Sequence, residues 1–326
     1  MRIAIPVVSL RAHGGVRLLV EISTHFSRMG HDVAFFVPRG RFDSPFRIEV
    51  PVREASLFDY IRIIKTWRPD VILYNFFLTT FLRPFFRGVK GVYFVQDYEA
   101  EFYPPWHLFH YMARSSYLFA LPKIATSRWL ASRTGAREVV YPGVDLKVFR
   151  FQPARSWRGR ILMFPRPQRH KGLDRILQIA PVLRDRGYHL MFVTRDGNLR
   201  GRLEAYGEVL SPSGDEELVS IYHSADVLLY TSKREAFGLP LFEAMATGTP
   251  FITTHYPVLD ELIPGKLRGL VLREFDADSI LLLLRRLEKE DFRVGVIMEG
   301  RRLVEERYSM DRFLDEFYDA LMRLIR

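Results

Sequence analysis

Two glutamates, Glu235 and Glu243, bracket the segment Glu-Ala-Phe-Gly-Leu-Pro-Leu-Phe-Glu, which continues as Ala-Met-Ala-Thr-Gly248. Pro240 suits a first helical turn and Gly238 permits close backbone approach, so the N–H groups of Gly238, Leu239 and Leu241 would face an anion. Glu235 would then lie in the loop and Glu243 about one turn into the helix, placing one carboxylate for a sugar and the other for a ribose. A second group, Arg166-Pro-Gln-Arg-His-Lys-Gly172, gathers Arg166, Arg169 and Lys171 on one loop, the charge a diphosphate requires. The third is the pair Gly14-Gly15 after His13, whose backbone could turn tightly against a phosphate at the start of a helix. Each has a plainer alternative: a glycine turn, a solvated basic loop, two surface carboxylates.

Such residues act together only if strand ends bring them together. The chain alternates short β-branched or aromatic runs with longer helical stretches, the pattern of a parallel sheet wrapped by helices. One series predicts strands over Ile3–Val8, Asp32–Val37, Val71–Tyr74, Gly91–Val95 and Lys123–Thr126, with helices over Val16–Met29, Phe58–Trp67, His107–Phe119 and Arg128–Thr134. A second predicts strands over Arg160–Phe164, His189–Thr194, Gly207–Leu210, Asp226–Tyr230, Pro250–Thr253 and Gly269–Leu272. Its helices are Leu173–Arg186, Asp215–Ser224, Leu239–Thr247 and Ala277–Glu290. The fold class is therefore α/β, two Rossmann-like doubly wound domains facing across a crevice, with the polar stretch Phe149–Gly159 as linker. Ligands in such folds bind beyond the carboxyl ends of the strands, where all three groups fall.

Composition narrows the chemistry. The 326 residues hold no cysteine, which removes disulfides, thiolate nucleophiles and cysteine-ligated metals. No apolar run reaches the length of a membrane span, and the short run after Met1 reads as a buried strand, so a cytoplasmic location is expected. Lys and Arg outnumber Asp and Glu by 21 to 12 over residues 1–151 but by only 27 to 26 over 152–326. The two halves should meet different partners.

Together with Tyr141-Pro-Gly-Val-Asp145 before Phe149, these groups resemble the family 4 retaining glycosyltransferases, in order along the chain from Ile3 to the last helix. The resemblance implies a GT-B fold with an acceptor domain over 1–151, a nucleotide-sugar domain over 152–308, and a helix over 309–326 that crosses back onto the first. It implies a nucleotide-sugar donor, a glycan or lipid-linked acceptor, and no required metal or other cofactor. Arg166 and Lys171 would hold the diphosphate with the amides at Gly14 and Gly15. Glu243 would accept the ribose hydroxyls, and Glu235 would contact the sugar beside the backbone of Phe237, Gly238 and Leu239. In the segment Tyr93-Phe-Val-Gln-Asp-Tyr-Glu, Gln96 stands where many members have histidine, which leaves Asp97 as the polar partner for the acceptor hydroxyl. The segment is similar to that of rhamnosyltransferase-like members, which implies a deoxyhexose as a donor sugar beside ordinary hexoses.

Two routes retain configuration: a covalent intermediate on Glu235 or Asp97, or front-face attack with the leaving phosphate as base. The basic loop favours the second, and His13, His170 and His255 receive no catalytic role. Phe76 to Lys90, with Arg83 and Arg87, and Trp106, Phe109, Tyr111 and Arg114 interleave aromatics with cations, which suits peripheral contact with an anionic membrane at the inner face. The competing view makes those aromatics core. An epimerase of GT-B fold and a basic nucleic-acid-binding protein are the alternatives in other classes. The Glu235-to-Glu243 segment argues against the first, and the lack of a nucleic-acid motif against the second.

Overall fold

The apolar runs build two parallel sheets, each buried on both faces, in a computed structural model that describes residues 1–10, 14–41, 44, 46–56, 58–153 and 156–326. His13 lies outside the described residues. Two units are formed, residues 1–142 with 311–326, and residues 143–310.

In the first unit, β1 (Arg2–Pro6), β2 (Asp32–Pro38), β3 (Val52–Ala55), β4 (Val71–Tyr74), β5 (Lys90–Val95), β6 (Lys123–Ala125) and β7 (Glu138–Val139) lie in the order β3-β2-β1-β4-β5-β6-β7. The central strands read Ile-Ala-Ile, Val-Ala-Phe-Phe-Val and Val-Ile-Leu-Tyr and are buried throughout, as a sheet covered on both faces demands. The two edge strands were not foreseen. β3 leaves Arg53 and Glu54 exposed and β7 has only two residues, so neither carries a continuous apolar run.

The helix Met310–Ile325 turns Phe313, Leu314, Phe317, Ala320 and Leu321 inward, and its length from Asp311 belongs to the first unit. The Phe317 ring meets those of Phe94 and Phe26, Tyr318 stacks on His31, and Arg323 pairs with Glu138. The Lys90 ammonium donates to the Ile325 carbonyl, a cation at the negative helix end. Each buried large side chain contributes about 1.5–3 kcal/mol, so this one helix fastens the chain's last residues firmly.

In the second unit, β8 (Arg160–Met163), β9 (His189–Val193), β10 (Glu208–Leu210), β11 (Val227–Tyr230), β12 (Phe251–Thr254) and β13 (Val271–Leu272) take the order β10-β9-β8-β11-β12-β13. An 18-residue helix, Glu290–Arg307, escaped the sequence reading because its charged residues and two glycines mask the buried stripe Val296, Ile297, Gly300, Leu303 and Val304. Gly300 sits under the Met245 side chain, so this helix backs the helix Leu239–Thr247 directly. The expected linker is partly wrong as well. Phe149 is buried with its ring edge-on to Tyr222, and the Gln152 amide donates to the Thr247 carbonyl. An apolar anchor thus moves the start of the second unit back to residue 143.

Candidate active site

Strand order in the second sheet reverses between β8 and β11, the position at which open parallel sheets leave a crevice at their carboxyl ends. The loop after β8 carries Arg166 to Gly172 and the loop after β11 carries Thr231 to Gly238. Gly172 lets them touch. Its φ is +73°, and a Cβ there would stand 2.0 Å from the Thr231 carbonyl oxygen, so a side chain at this point would force the loops apart.

That contact delivers Lys171 to Glu235. The Lys171 Nζ donates to Glu235 Oε2 at 2.7 Å, while the Tyr230 and Ser232 hydroxyls donate to Oε1 at 2.6 and 2.8 Å. Burial alone would raise this carboxyl, but the Lys171 charge and the three hydrogen bonds outweigh it and hold Glu235 below the ordinary carboxylate range. A carboxylate has about four acceptor positions, and three are filled here. Glu235 is an ionised anchor with room for one more donor. Tyr230 is pushed upward by burial and then by the Glu235 charge, so it keeps its proton. His170 is pushed down to about 4 by burial, with Lys171 and Arg234 adding repulsion, which leaves the loop's positive charge to Arg166, Arg169 and Lys171. The Arg166 side chain is exposed beyond β8 and acts electrostatically on the Tyr222 and Tyr230 hydroxyls.

Past Glu235 the chain enters the helix Leu239–Thr247, with Gly238 at φ +93° as its N-cap and Pro240 in the first turn. Leu241 donates its N–H back to the Gly238 carbonyl, so it is not available to an anion as the sequence suggested; the amides of Gly238 and Leu239 lead the helix. Glu243 is buried in this helix, and the Tyr222 hydroxyl donates to its Oε2 at 2.9 Å. The Phe237 ring stacks on Phe242 at 4.2 Å and is core, so only its backbone is available to a ligand. Tyr256 packs its hydroxyl 2.7 Å from where a Gly238 Cβ would stand.

In the first unit strand order reverses between β1 and β4. Gly14 and Gly15 open the helix Gly14–Arg28, and a Cβ on Gly15 would stand 2.8 Å from the Gln96 Oε1, so the glycine makes way for the amide. The Asp97 Oδ1 accepts the Tyr98 N–H at 2.7 Å. Next to it Glu99 is buried. Its Oε2 accepts from the Phe77 N–H at 2.6 Å and the Tyr93 hydroxyl at 3.2 Å, and burial pushes its carboxyl well above the usual range.

The structure therefore gathers Arg166, Lys171, Glu235, Gly238, Leu239 and Glu243 in one unit and Gly14, Gly15 and Asp97 in the other. Of the residues read for membrane contact, some are buried or engaged, while Phe85, Arg87, Trp106, Tyr111 and Arg114 are exposed. Arg83 donates to the Phe86 and Val89 carbonyls and closes a short helical turn, while Phe77 and Phe86 are core. The supports Tyr222, Tyr230, Ser232 and Glu99 were missed; Tyr230 and Ser232, two apart at the end of a strand, share one face and could have been read as a pair of donors. Among the described residues no cluster of His, Asp and Glu could hold a metal, and no helix is long and apolar enough to cross a membrane.

The model of the family described as "Glycosyl transferases group 1" matches residues 148–303, nearly the whole of the second unit. The GDP-mannose:cellobiosyl-diphosphopolyprenol alpha-mannosyltransferase of Xanthomonas campestris is 26% identical over 263 residues, covering 73% of this chain and 68% of that protein. Other relatives match in part: the chain spans less than half the length of the first curated relatives it matches. Among solved structures, sucrose-phosphate synthase from Thermosynechococcus elongatus superposes with a TM-score of 0.81 at 17% identity, covering 99% of this chain and 98% of that one. Anabaena HepE in complex with UDP and glucose superposes at 0.79 and 15%, covering 99% of each. The fold is GT-B, and the second unit is similar along nearly its whole length to the glycosyl transferases group 1 family.

Proposed function

We propose that the protein is a retaining glycosyltransferase of family 4, moving a hexose or deoxyhexose from a nucleoside diphosphate sugar to a glycan or lipid-linked acceptor in cell-envelope polysaccharide or glycolipid synthesis. The observation that carries this reading is the Lys171–Glu235 pair with its Tyr230 and Ser232 donors at the switch point of the second sheet. Lys171 spends one of its three protons on Glu235, which leaves two for diphosphate oxygens beside the exposed Arg166. Glu235 offers its remaining acceptor position to a sugar hydroxyl, and Glu243, held by Tyr222, meets the ribose. The X. campestris relative uses GDP-mannose by name and HepE was solved with UDP, which supports a nucleotide-sugar donor without fixing its base.

A carboxylate already engaged by three donors is a poor nucleophile and, being ionised, no general acid. This favours front-face transfer: the bond from the anomeric carbon to the phosphate oxygen breaks, the acceptor oxygen bonds to the same face, and its proton passes to the departing diphosphate. Arg166 and Lys171 stabilise the charge that grows there. Asp97 orients the acceptor hydroxyl, and no metal or other cofactor is required. The excess of nine positive charges in residues 1–151 supports peripheral contact with anionic lipid at the inner face of the membrane, not with nucleic acid.

Thermal unfolding with UDP, GDP, ADP and dTDP tests the reading. One of them at 100 times its dissociation constant stabilises the fold by about 2.7 kcal/mol. No response to any diphosphate or its sugar ester overturns it.

A further inference from the structure

The helix Leu108–Ser116 carries large apolar side chains outward as well as inward, which a surface helix normally does not. Its inner face is accounted for: Phe109, Met112 and Ala113 pack with Phe77 and Ala100. Its outer face has no counterpart. Leu108 is 68% exposed, Tyr111 57% and Leu118 86%, and Trp106 just before the helix is 79% exposed. Tyr117, which caps the helix, keeps helical angles, and the Leu118 N–H donates to the Ser115 carbonyl, so Leu108, Tyr111, Ser115 and Leu118 recur at helical spacing as one stripe. A solvent-facing row of such residues costs free energy unless something covers it.

Charge identifies the cover. Between Phe102 and Arg137 the sequence has no Asp or Glu, while Arg114, Arg128 and Arg137 are exposed; Lys123 is buried on the Phe119 and Leu121 carbonyls and Arg133 pairs with Glu101. The neighbouring stretch Val71 to Gln96 is also free of acids and contains Arg83, Arg87 and Lys90. Arg114 is exposed on the helix itself, and Arg87 is exposed on the turn after Phe86. An apolar row led by a tryptophan, with Arg114 exposed on the same helix, fits the boundary between headgroups and acyl chains of an anionic bilayer.

We infer that the outer face of Leu108–Ser116, with Trp106 and Leu118, is the surface by which the first unit docks on an anionic phospholipid bilayer. This rests on the peripheral-membrane part of the function proposed above and replaces Arg83, whose guanidinium is occupied, with a specific apolar row. The row enters the interface while Arg114 and Arg87 lie at headgroup level. An acceptor carried on a lipid would then be met at the surface that holds it.

Sedimentation with vesicles of phosphatidylglycerol and phosphatidylcholine, against phosphatidylcholine alone, tests this in the intact protein. The wild type should bind the acidic vesicles, more weakly as salt rises. Trp106→Ser with Leu118→Ser should weaken binding by about tenfold or more for each large side chain removed. Arg114→Glu should weaken it without altering Tm. Both sets replace exposed side chains, so nucleotide-dependent thermal stabilisation should persist and report an intact fold and donor site. Unchanged vesicle binding by the double variant overturns the assignment of this face while leaving membrane contact standing. No binding by the wild type at low salt overturns both. A wild-type dimer that the double variant splits, with no response to vesicles, overturns the bilayer in favour of a second copy of the chain. In each case the nucleotide response tests the glycosyltransferase reading separately.

Discussion

Replacing Lys171 with methionine isolates the electrostatics of the site. The ammonium lies 2.7 Å from Glu235 Oε2, and the two side chains are only 15% and 10% exposed. Removing one partner of a buried pair leaves the other charge uncompensated, at a cost of about 3–5 kcal/mol. The lower figure applies, since Tyr230 and Ser232 still donate to Glu235. For a unit of this size about 3 kcal/mol corresponds to a fall in Tm of roughly 6–12 °C. The pH dependence has a definite sign. In the wild type Glu235 is held below its unfolded value, so it adds stability above that value, and this is lost on acidification. Without Lys171 burial dominates and the carboxyl rises, so the penalty is present at neutral pH and disappears as the group protonates. Urea unfolding of wild type and Lys171→Met at about pH 7.5 and about pH 4 should therefore give curves that converge in acid. Adding Glu235→Gln to the variant should recover much of the loss, a coupling that independent sites would not show. A destabilisation under about 1 kcal/mol, the same at both pH values and indifferent to Glu235→Gln, refutes the reasoning.

Glu99 titrates in the opposite sense. Its folded-state carboxyl is raised by burial, so its contribution is complete below the unfolded value and is lost as pH rises toward the folded one, by up to about 1.4 kcal/mol per pH unit. Glu99→Gln, which keeps the shape and the acceptor for the Phe77 N–H, should flatten that slope; parallel curves for the two proteins would contradict the assignment. Gly172→Ala should destabilise severely and abolish nucleotide stabilisation, because a methyl group would meet the Thr231 carbonyl. Gly201→Ala, at a helical position with open space, should instead stabilise by about 1 kcal/mol. Equal effects from the two alanines would remove Gly172 as the point of loop contact.

What the sequence made legible follows from what is local. Pro240 after Gly238 announces a helix start because both act on their own backbone, and the helix Leu239–Thr247 has the predicted bounds. The doubly wound pattern shows because buried parallel strands are apolar at every position, as in Val227–Tyr230. The edge strands β3 and β7 lack that property and were missed. Leu241 was misjudged by one hydrogen bond, since an N–H three places into a turn can be taken by the residue that caps it.

The partners that define the site are not local, and no periodicity encodes them. Lys171 and Glu235 are 64 residues apart and meet because β8 and β11 are neighbours in the sheet and Gly172 lets their loops touch. The same limit explains the aromatics of the first unit. Phe77 and Trp106 have the same chemistry in the sequence, yet one is core and the other 79% exposed. A helix with apolar residues on both sides, such as Leu108–Ser116, does not announce which side turns inward; Phe77 and Ala100 decide it by packing on Phe109 and Met112. Glu99 is the sharpest case: written between Asp97 and Glu101 it reads as part of a solvated acidic run, while in the fold it is sealed under Tyr93 and the Phe77 amide. Burial inverts the chemistry of that carboxyl while the pair with Lys171 preserves that of Glu235, so two glutamates of the same composition hold opposite protonation preferences for reasons that only tertiary neighbours supply.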